Sequence, residues 1–184
     1  MSTTIIKSIM VLVSVVVLHT TTVNAADNIY VTVTGAIQGP FRGEVFTAGL
    51  ETKTFRGLKF DYEVISPRDS QTGLPSGKRT HKPLLIQKAW GPSSVQIFSA
   101  LTHNELLTVV IDFFSLQRTG KLGLDHTIKL NNASVMSFHS NADTDNRQAP
   151  PTDTMQLVFQ SIELIDHVSQ SAAMDSLTGT AGGK

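Results

Sequence analysis

The chain of 184 residues contains no cysteine. No disulfide can brace it, so whatever holds it together must be an apolar core and paired backbone. It also lacks a surplus of either charge, with 15 Lys and Arg against 15 Asp and Glu. That balance removes the basic excess on which phosphate binding through counterion release depends, and with it a nucleic-acid role. Nor is there an apolar run of the ~20 residues that a spanning helix needs. Catalytic and metal motifs are missing as well: the sequence holds no G-x-S-x-G, no H-E-x-x-H or H-x-x-x-H, and no EF-hand spacing.

What is present begins with a leader. Lys7 is the only acid or strong base in Met1 to Ala25, Ile9 to Leu18 is apolar but for Ser14, and Val23-Asn24-Ala25 offers small residues for cleavage. This grammar predicts a secretory signal peptide over 1–25, a mature chain beginning at Ala26, and a secreted or periplasmic location with no membrane contact after cleavage. The mature chain carries 14 basic and 15 acidic residues. It is long enough for one ordinary domain that buries about two thirds of its surface.

The rest reads as short strands. Ile29, Val31 and Val33 alternate with Tyr30, Thr32 and Thr34 up to Gly35, the pattern of a half-buried strand. Glu44 to Leu50 is a weaker strand candidate. Leu58, Phe60, Tyr62 and Val64 alternate with polar residues, which predicts a strand with its aromatics in the core. Ser66 to Thr80 is a polar connection rich in Gly, Pro and Ser, long enough to reach another molecule. Arg118 to Gly123 is a hairpin turn. Leu124 to Leu130 and Ala133 to Phe138 are strands separated by a turn at Asn131-Asn132. Met155 to Val168 is the last long strand, and its change of apolar parity predicts a bulge or bend between Phe159 and Ile162. From Ser169 to Lys184 there is little to bury, which predicts a flexible tail.

The densest pattern lies between Gly77 and Phe114. Leu84 to Ile86 is a short strand entered through Lys82-Pro83 and bounded by Lys88. Ser93-Ser94-Val95-Gln96 has the spacing of a capping box, and a helix from Ser93 to His103 would place Val95, Phe98, Ile97 and Leu101 on an apolar stripe. Asn104 would end it. Leu107 to Phe114 is too apolar on both faces for an exposed strand and belongs in the centre of a sheet. The order GKRTHKP, strand, Trp-bearing turn, SS-x-x-I-F-x-A-L and HNELL-x-x-V-I-D-F resembles the hemolysin-coregulated protein (Hcp) family, which builds the inner tube of type VI secretion systems. A looser, collinear match runs from about Ile29 to Val168.

The resemblance implies a β-barrel with a flanking helix, hexameric rings that stack into a tube, and contact with effector and spike proteins. It assigns the helix, with Lys82, Pro83, Asn104 and Glu105, to the family signature, and implies neither catalytic residues nor a cofactor. The leader departs from this pattern, because tube subunits assemble in the cytoplasm and leave through the machine itself. An exported relative that keeps the ring-forming fold to bind or escort other proteins satisfies both observations.

Other residues mimic chemical motifs without completing them. Gly73 and Gly77-Lys78-Arg79-Thr80 mimic a phosphate loop, but three residues separate the glycines instead of four and Arg79 stands at the Ser/Thr position. His81, His103, His126, His139 and His167 are scattered one to an element, the pattern of isolated structural histidines rather than a metal site. Asp143, Asp145 and Asp153 could gather around calcium, yet the loop Ser140 to Asp153 lacks a terminal glutamate. Ser115, His126 and Asp112 form a hydrolase trio of the kind any chain offers by chance. Asn132-Ala133-Ser134 is a glycosylation acceptor by pattern, and Asp166 shows no partner in sequence.

The expectation is therefore a mainly β protein: an antiparallel barrel or sandwich of about eight strands with one flanking helix, in a domain over 26–168. Its first function is ring assembly without enzymatic activity, metal or cofactor. The alternative is a monomeric exported ligand-binding barrel or hydrolase using the loops Ser66 to Thr80 and Ser140 to Asp153.

Overall fold

A computed structural model describes residues 28–44, 53–118, 120–142 and 150–177. The leader, most of the strand candidate Glu44 to Leu50, and Asp143 and Asp145 lie outside the described residues. The elements in chain order are β1 (Asn28–Gly35), β2 (Gly39–Pro40), β3 (Thr54–Asp61), β4 (Val64–Ile65), β5 (Thr80–His81), β6 (Leu84–Ala89), α1 (Pro92–Thr102), β7 (Leu107–Leu116), β8 (Leu122–Asn141), β9 (Thr152–Val158), β10 (Ser161–Asp166) and β11 (Ser171–Ser176).

The main sheet closes on itself. Antiparallel pairings run β8–β7–β1–β3–β6–β9 and return from β9 to β8, which makes a barrel of six strands. Closure removes the sheet edges that would otherwise invite aggregation. Every second residue of these strands points inward: Val31 and Val33, Leu84 and Ile86, Val109 and Ile111, Ile128 and Leu130, Met155 and Leu157 are all buried. Each such side chain contributes about 1.5–3 kcal/mol by leaving water. β7 is central, as its composition requires, lying between β1 and β8.

β8 is one strand of 20 residues, where the sequence predicts two strands and a turn. Asn132 sits at φ 48°, a left-handed conformation that Asn tolerates better than most residues. The register against β7 slips there, with Leu107 opposite Ala133 but Val109 opposite Leu130. The result is a bend, which lets the first half of β8 pair with β7 and β10 and the second half with β9. The break expected between Phe159 and Ile162 falls between β9 and β10. Val158 and Ser161 stand opposite Ser134 and Asn131, three residues apart on both strands, so the register carries on while the neighbour changes from β6 to β11.

Two expectations fail for local reasons. Ser169 onward was expected to fray, but Ser171–Ser176 is β11 and pairs with β10 along its whole length. Its turn is fixed by the Asp166 carboxylate, which accepts the amides of Val168 and Ser169 at 2.7 and 2.9 Å. Backbone pairing needs no buried side chain, which is why composition concealed it; residues 178–184 lie outside the described residues. The aromatic strand also breaks early. A bulge between Gly57 and Lys59 leaves Leu58 exposed, Phe60 packs on the core edge, and Val64 moves to a separate two-strand ribbon of β4 and β5.

The cap of α1 falls two residues before Ser93, the position that the capping-box spacing predicts. Gly91 is the N-cap with Pro92 at the first helical position, and Ser94 Oγ accepts the Gly91 amide at 3.0 Å. Gln96 instead accepts the Arg42 amide. The buried face is Ser93, Ser94, Ile97 and Ala100, with Leu101 packed at its margin, while Val95 and Phe98 face outward. Phe98 is 53 % exposed and only brushes Phe138 edge-on. Ile97→Ala should therefore lower folding stability by about 2–5 kcal/mol, and Phe98→Ala by about 0.5 kcal/mol or less; urea unfolding of both variants checks the order.

Candidate assembly surfaces and their buried anchors

β6 alternates Leu84, Ile86, Lys88 toward the interior, and the third of these is a cation with no exposed surface. Lys88 Nζ donates to the Ala89 carbonyl at 2.6 Å and to Ser94 Oγ at 3.0 Å, and lies 3.1 Å from Glu44 Oε1 and 3.9 Å from Asp153 Oδ2. The Phe55 ring lies 5.4 Å beneath it. Ser94 Oγ in turn donates to Asp153, and Glu44 Oε1 accepts from the amide and hydroxyl of Ser93. A Cβ at Gly91 would run into the Glu44 side chain, so glycine is needed where the helix starts. One buried cation thus ties the N-terminus of α1 to β6 and β9 and to the chain after β2.

The other end of α1 is held by an anion. Glu105 is nearly buried, and its Oε1 accepts the amides of Ile37 and Gln38 at 2.6 and 2.7 Å while Oε2 accepts Gln38 Nε2 at 2.6 Å. Burial pushes this carboxyl up, but the hydrogen bonds from Gln38 and Ile37 outweigh it and hold the group below the usual carboxylate range. Asn104, at φ 51°, turns the chain out of the helix to deliver Glu105.

Between β3 and β6 the chain projects as an arm. β4 pairs with β5, Arg68 bridges to Pro75, and a turn with Gly73 at φ 70° closes the tip. Asp69 Oδ1 caps that turn through Gln71 and Thr72. The arm base is clasped to β11: Arg79 donates two hydrogen bonds to the Asp175 carboxylate, His81 Nε2 lies 2.9 Å from Asp175 Oδ2, and His81 Nδ1 lies 2.6 Å from the Tyr62 hydroxyl. The Arg79 hydrogen bonds hold Asp175 below the usual carboxylate range. Burial, then the Asp175 charge, pushes the Tyr62 phenol up.

The remaining sequence candidates disperse. Gly73, Gly77 and Lys78 belong to the arm, with no strand-loop-helix around them. Asp112 stands opposite Thr127 and Phe113 opposite His126, so Asp112 and His126 point to opposite faces of the sheet. Asp112 accepts from Thr127 Oγ1 at 2.7 Å, Ser115 donates to Asp125, and His126 stacks on Phe113 with ring centroids 4.1 Å apart. The hydrolase trio does not assemble. His103 returns to the Ser99 carbonyl, His139 is exposed, and His167 meets Thr127 Oγ1 at 2.9 Å. Among the described residues no group of three or more His, Asp or Glu is placed to hold a metal ion. Asp153 serves the Lys88 anchor, Asn132 the bend in β8, and Asp166 the turn before β11.

A closed antiparallel barrel with extra strands and a helix recurs among solved structures. The family profile described as "Type VI secretion system effector, Hcp" matches residues 30–165. The chain belongs to the Hcp family. A curated relative, the "Major exported protein" of Pseudomonas aeruginosa, is 28% identical over 167 residues, covering 84% of this chain and 97% of its own. Among solved structures, an Hcp protein superposes with a TM-score of 0.75 at 20% identity, covering 82% of this chain and 99% of its own. Hcp1 of the E. coli EAEC 042 pathovar gives 0.72 at 18%, covering 82% and 99%. The secreted protein Hcp3 of P. aeruginosa gives 0.69 at 22%, covering 82% and 98%. These three carry the fold.

Within the Hcp chain, the signature residues are structural anchors. Lys82 pairs with Glu63 at 2.6 Å across the arm base, Pro83 leads into β6, Asn104 makes the turn, and Glu105 holds the loop after β1. The Lys88 anchor escaped the sequence reading, although the period-two run Leu84, Ile86, Lys88 already put it on the inner face. Lys88→Met leaves Asp153 and Glu44 without their cation and should cost about 3–5 kcal/mol in denaturant unfolding. For Asp175 the native pKa lies below the unfolded one, so its contribution is present above about pH 4 and lost as pH falls through the lowered value. Asp175→Asn should flatten that acid limb of the stability profile, read by thermal unfolding between neutral and acid pH.

Proposed function

We propose that this Hcp chain is the subunit of a closed ring, six-fold by the family resemblance, that acts as a scaffold and not as an enzyme. The observation that carries it is the edge strand β11, whose strand pairing among the described residues is with β10, outside the closed barrel. An unpaired edge is satisfied when each copy's edge meets the next copy around a ring. Apolar side chains left in water add to this: Val95 and Phe98 on α1, Met136 on β8, Met174 on β11. The barrel interior is filled by its own side chains, which favours assembly over ligand binding inside the barrel.

Export is part of the proposal. The leader over 1–25 directs the chain out of the cytoplasm and is removed after Ala25, in keeping with a relative named for being exported. Outside, rings would bind or escort other proteins, with effector or spike proteins as partners. Size-exclusion chromatography with light scattering on the mature protein should give a hexamer mass, and negative-stain images should show rings. A strictly monomeric particle at high concentration overturns ring assembly. Mass spectrometry of the exported protein should find Ala26 at the N-terminus, and intact Met1 on cytoplasmic protein would return a conventional tube role.

A further inference from the structure

The arm and the strands beyond the barrel are complementary. The arm from Ser66 to Thr80 is exposed along its length, reaching roughly 20 Å from β4 and β5 at strand-like rise. Leu74 near its tip is 64 % exposed; Arg68 lies beside it through the bridge to Pro75, and Lys78 follows four residues on in sequence. Where β8, β10 and β11 leave the barrel there is a hollow of about 570 Å³ lined by Leu164, Val168 and Ala173, with Asp125, Asp166 and His126 along it, on the same β10–β11 hairpin whose Asp175 clasps the arm's base. Leu164 and Val168 are exposed there, and no residue of the arm lines the hollow.

An apolar floor with two carboxylates suits an apolar side chain carried between cations, which is what the arm tip presents. We propose that the arm of one copy docks in this hollow of a neighbouring copy, with Leu74 on Leu164 and Val168 and with Lys78 and Arg68 toward Asp125 and Asp166. The contact joins two different surfaces, as a ring requires and a two-fold dimer does not. It rests on the self-assembly proposed above and names the surfaces involved. Arg79 takes no part, because its guanidinium already clasps Asp175 and sets the arm at its base. The carboxylates also set a sign: the contact weakens as salt screens exposed charge.

The absence of cysteine makes the test direct. Leu74→Cys and Leu164→Cys chains of the mature protein, distinguished by a tag of different mass, are mixed, allowed to reassemble and oxidised at low and high salt. Both side chains are exposed, so the fold tolerates the changes. The docking predicts a mixed cross-link between the two chains, absent when either is oxidised alone, with a yield that falls as salt rises. Rings that persist by light scattering without the mixed cross-link overturn this contact and leave ring assembly standing. Leu74-to-Leu74 cross-links alone overturn it in favour of arms meeting arms. Monomers throughout overturn both proposals.

Discussion

Everything in this fold depends on one strand being able to serve two sheets. β8 pairs with β7 and β10 over its first half and with β9 over its second, and Asn132 in the left-handed region is the corner between them. Without the bend the second half of β8 would continue away from β9, and β9 would be left with a free edge. The same corner changes the neighbour of the following chain, which leaves β6 after Val158 and takes up β11 after Ser161. The closed barrel and the open strands β10 and β11 are two results of one local choice.

The helix is fastened to this barrel by charge as much as by apolar contact. Lys88 at its start and Glu105 at its end are both buried, and each is satisfied by groups distant in sequence, Glu44 and Asp153 in one case and Ile37 and Gln38 in the other. Such anchors add little net stability against a well-packed apolar substitute, but they tolerate only one placement of the helix. That fixes which of its faces turns to water. Val95 and Phe98 are thereby presented at a defined position relative to β8, and the Arg79–Asp175 clasp fixes the arm to β11 in the same way. These polar ties hold the helix and the arm in place where the apolar core does not reach.

Much of the barrel is legible from period-two alternation along β1 and β9, where inward and outward residues differ in kind, and from the largely apolar run of β7. The failures share a cause: stabilisation that does not pass through apolar side chains. β11 is held by backbone pairing and the Asp175 clasp, so composition read as tail. The bend at Asn132 read as a turn, since Asn suits either geometry and only the distant partner β9 decides. The three-and-four spacing that puts Phe98 inside defines a stripe without saying which of two apolar stripes is buried; the buried one contains Ser93, Ser94 and Ala100, small residues that let α1 lie close to the barrel. Lys88 reads as a strand boundary in sequence because a cation on an inner face is rare, and its two acids lie 44 and 65 residues away. The family signature is visible as a pattern in sequence, while the side chains left exposed on α1, β8 and β11 emerge only from the fold.

The claim that β8 is a single bent strand closing the barrel is tested most directly by amide hydrogen exchange resolved along it. If one strand serves both sheets, the paired amides of Leu124 to Leu130 and of Val135 to Phe138 should exchange together, through the same global opening. Exchange of Val135 to Phe138 with β9, well ahead of Leu124 to Leu130, would show two separable units joined by a turn and contradict the account.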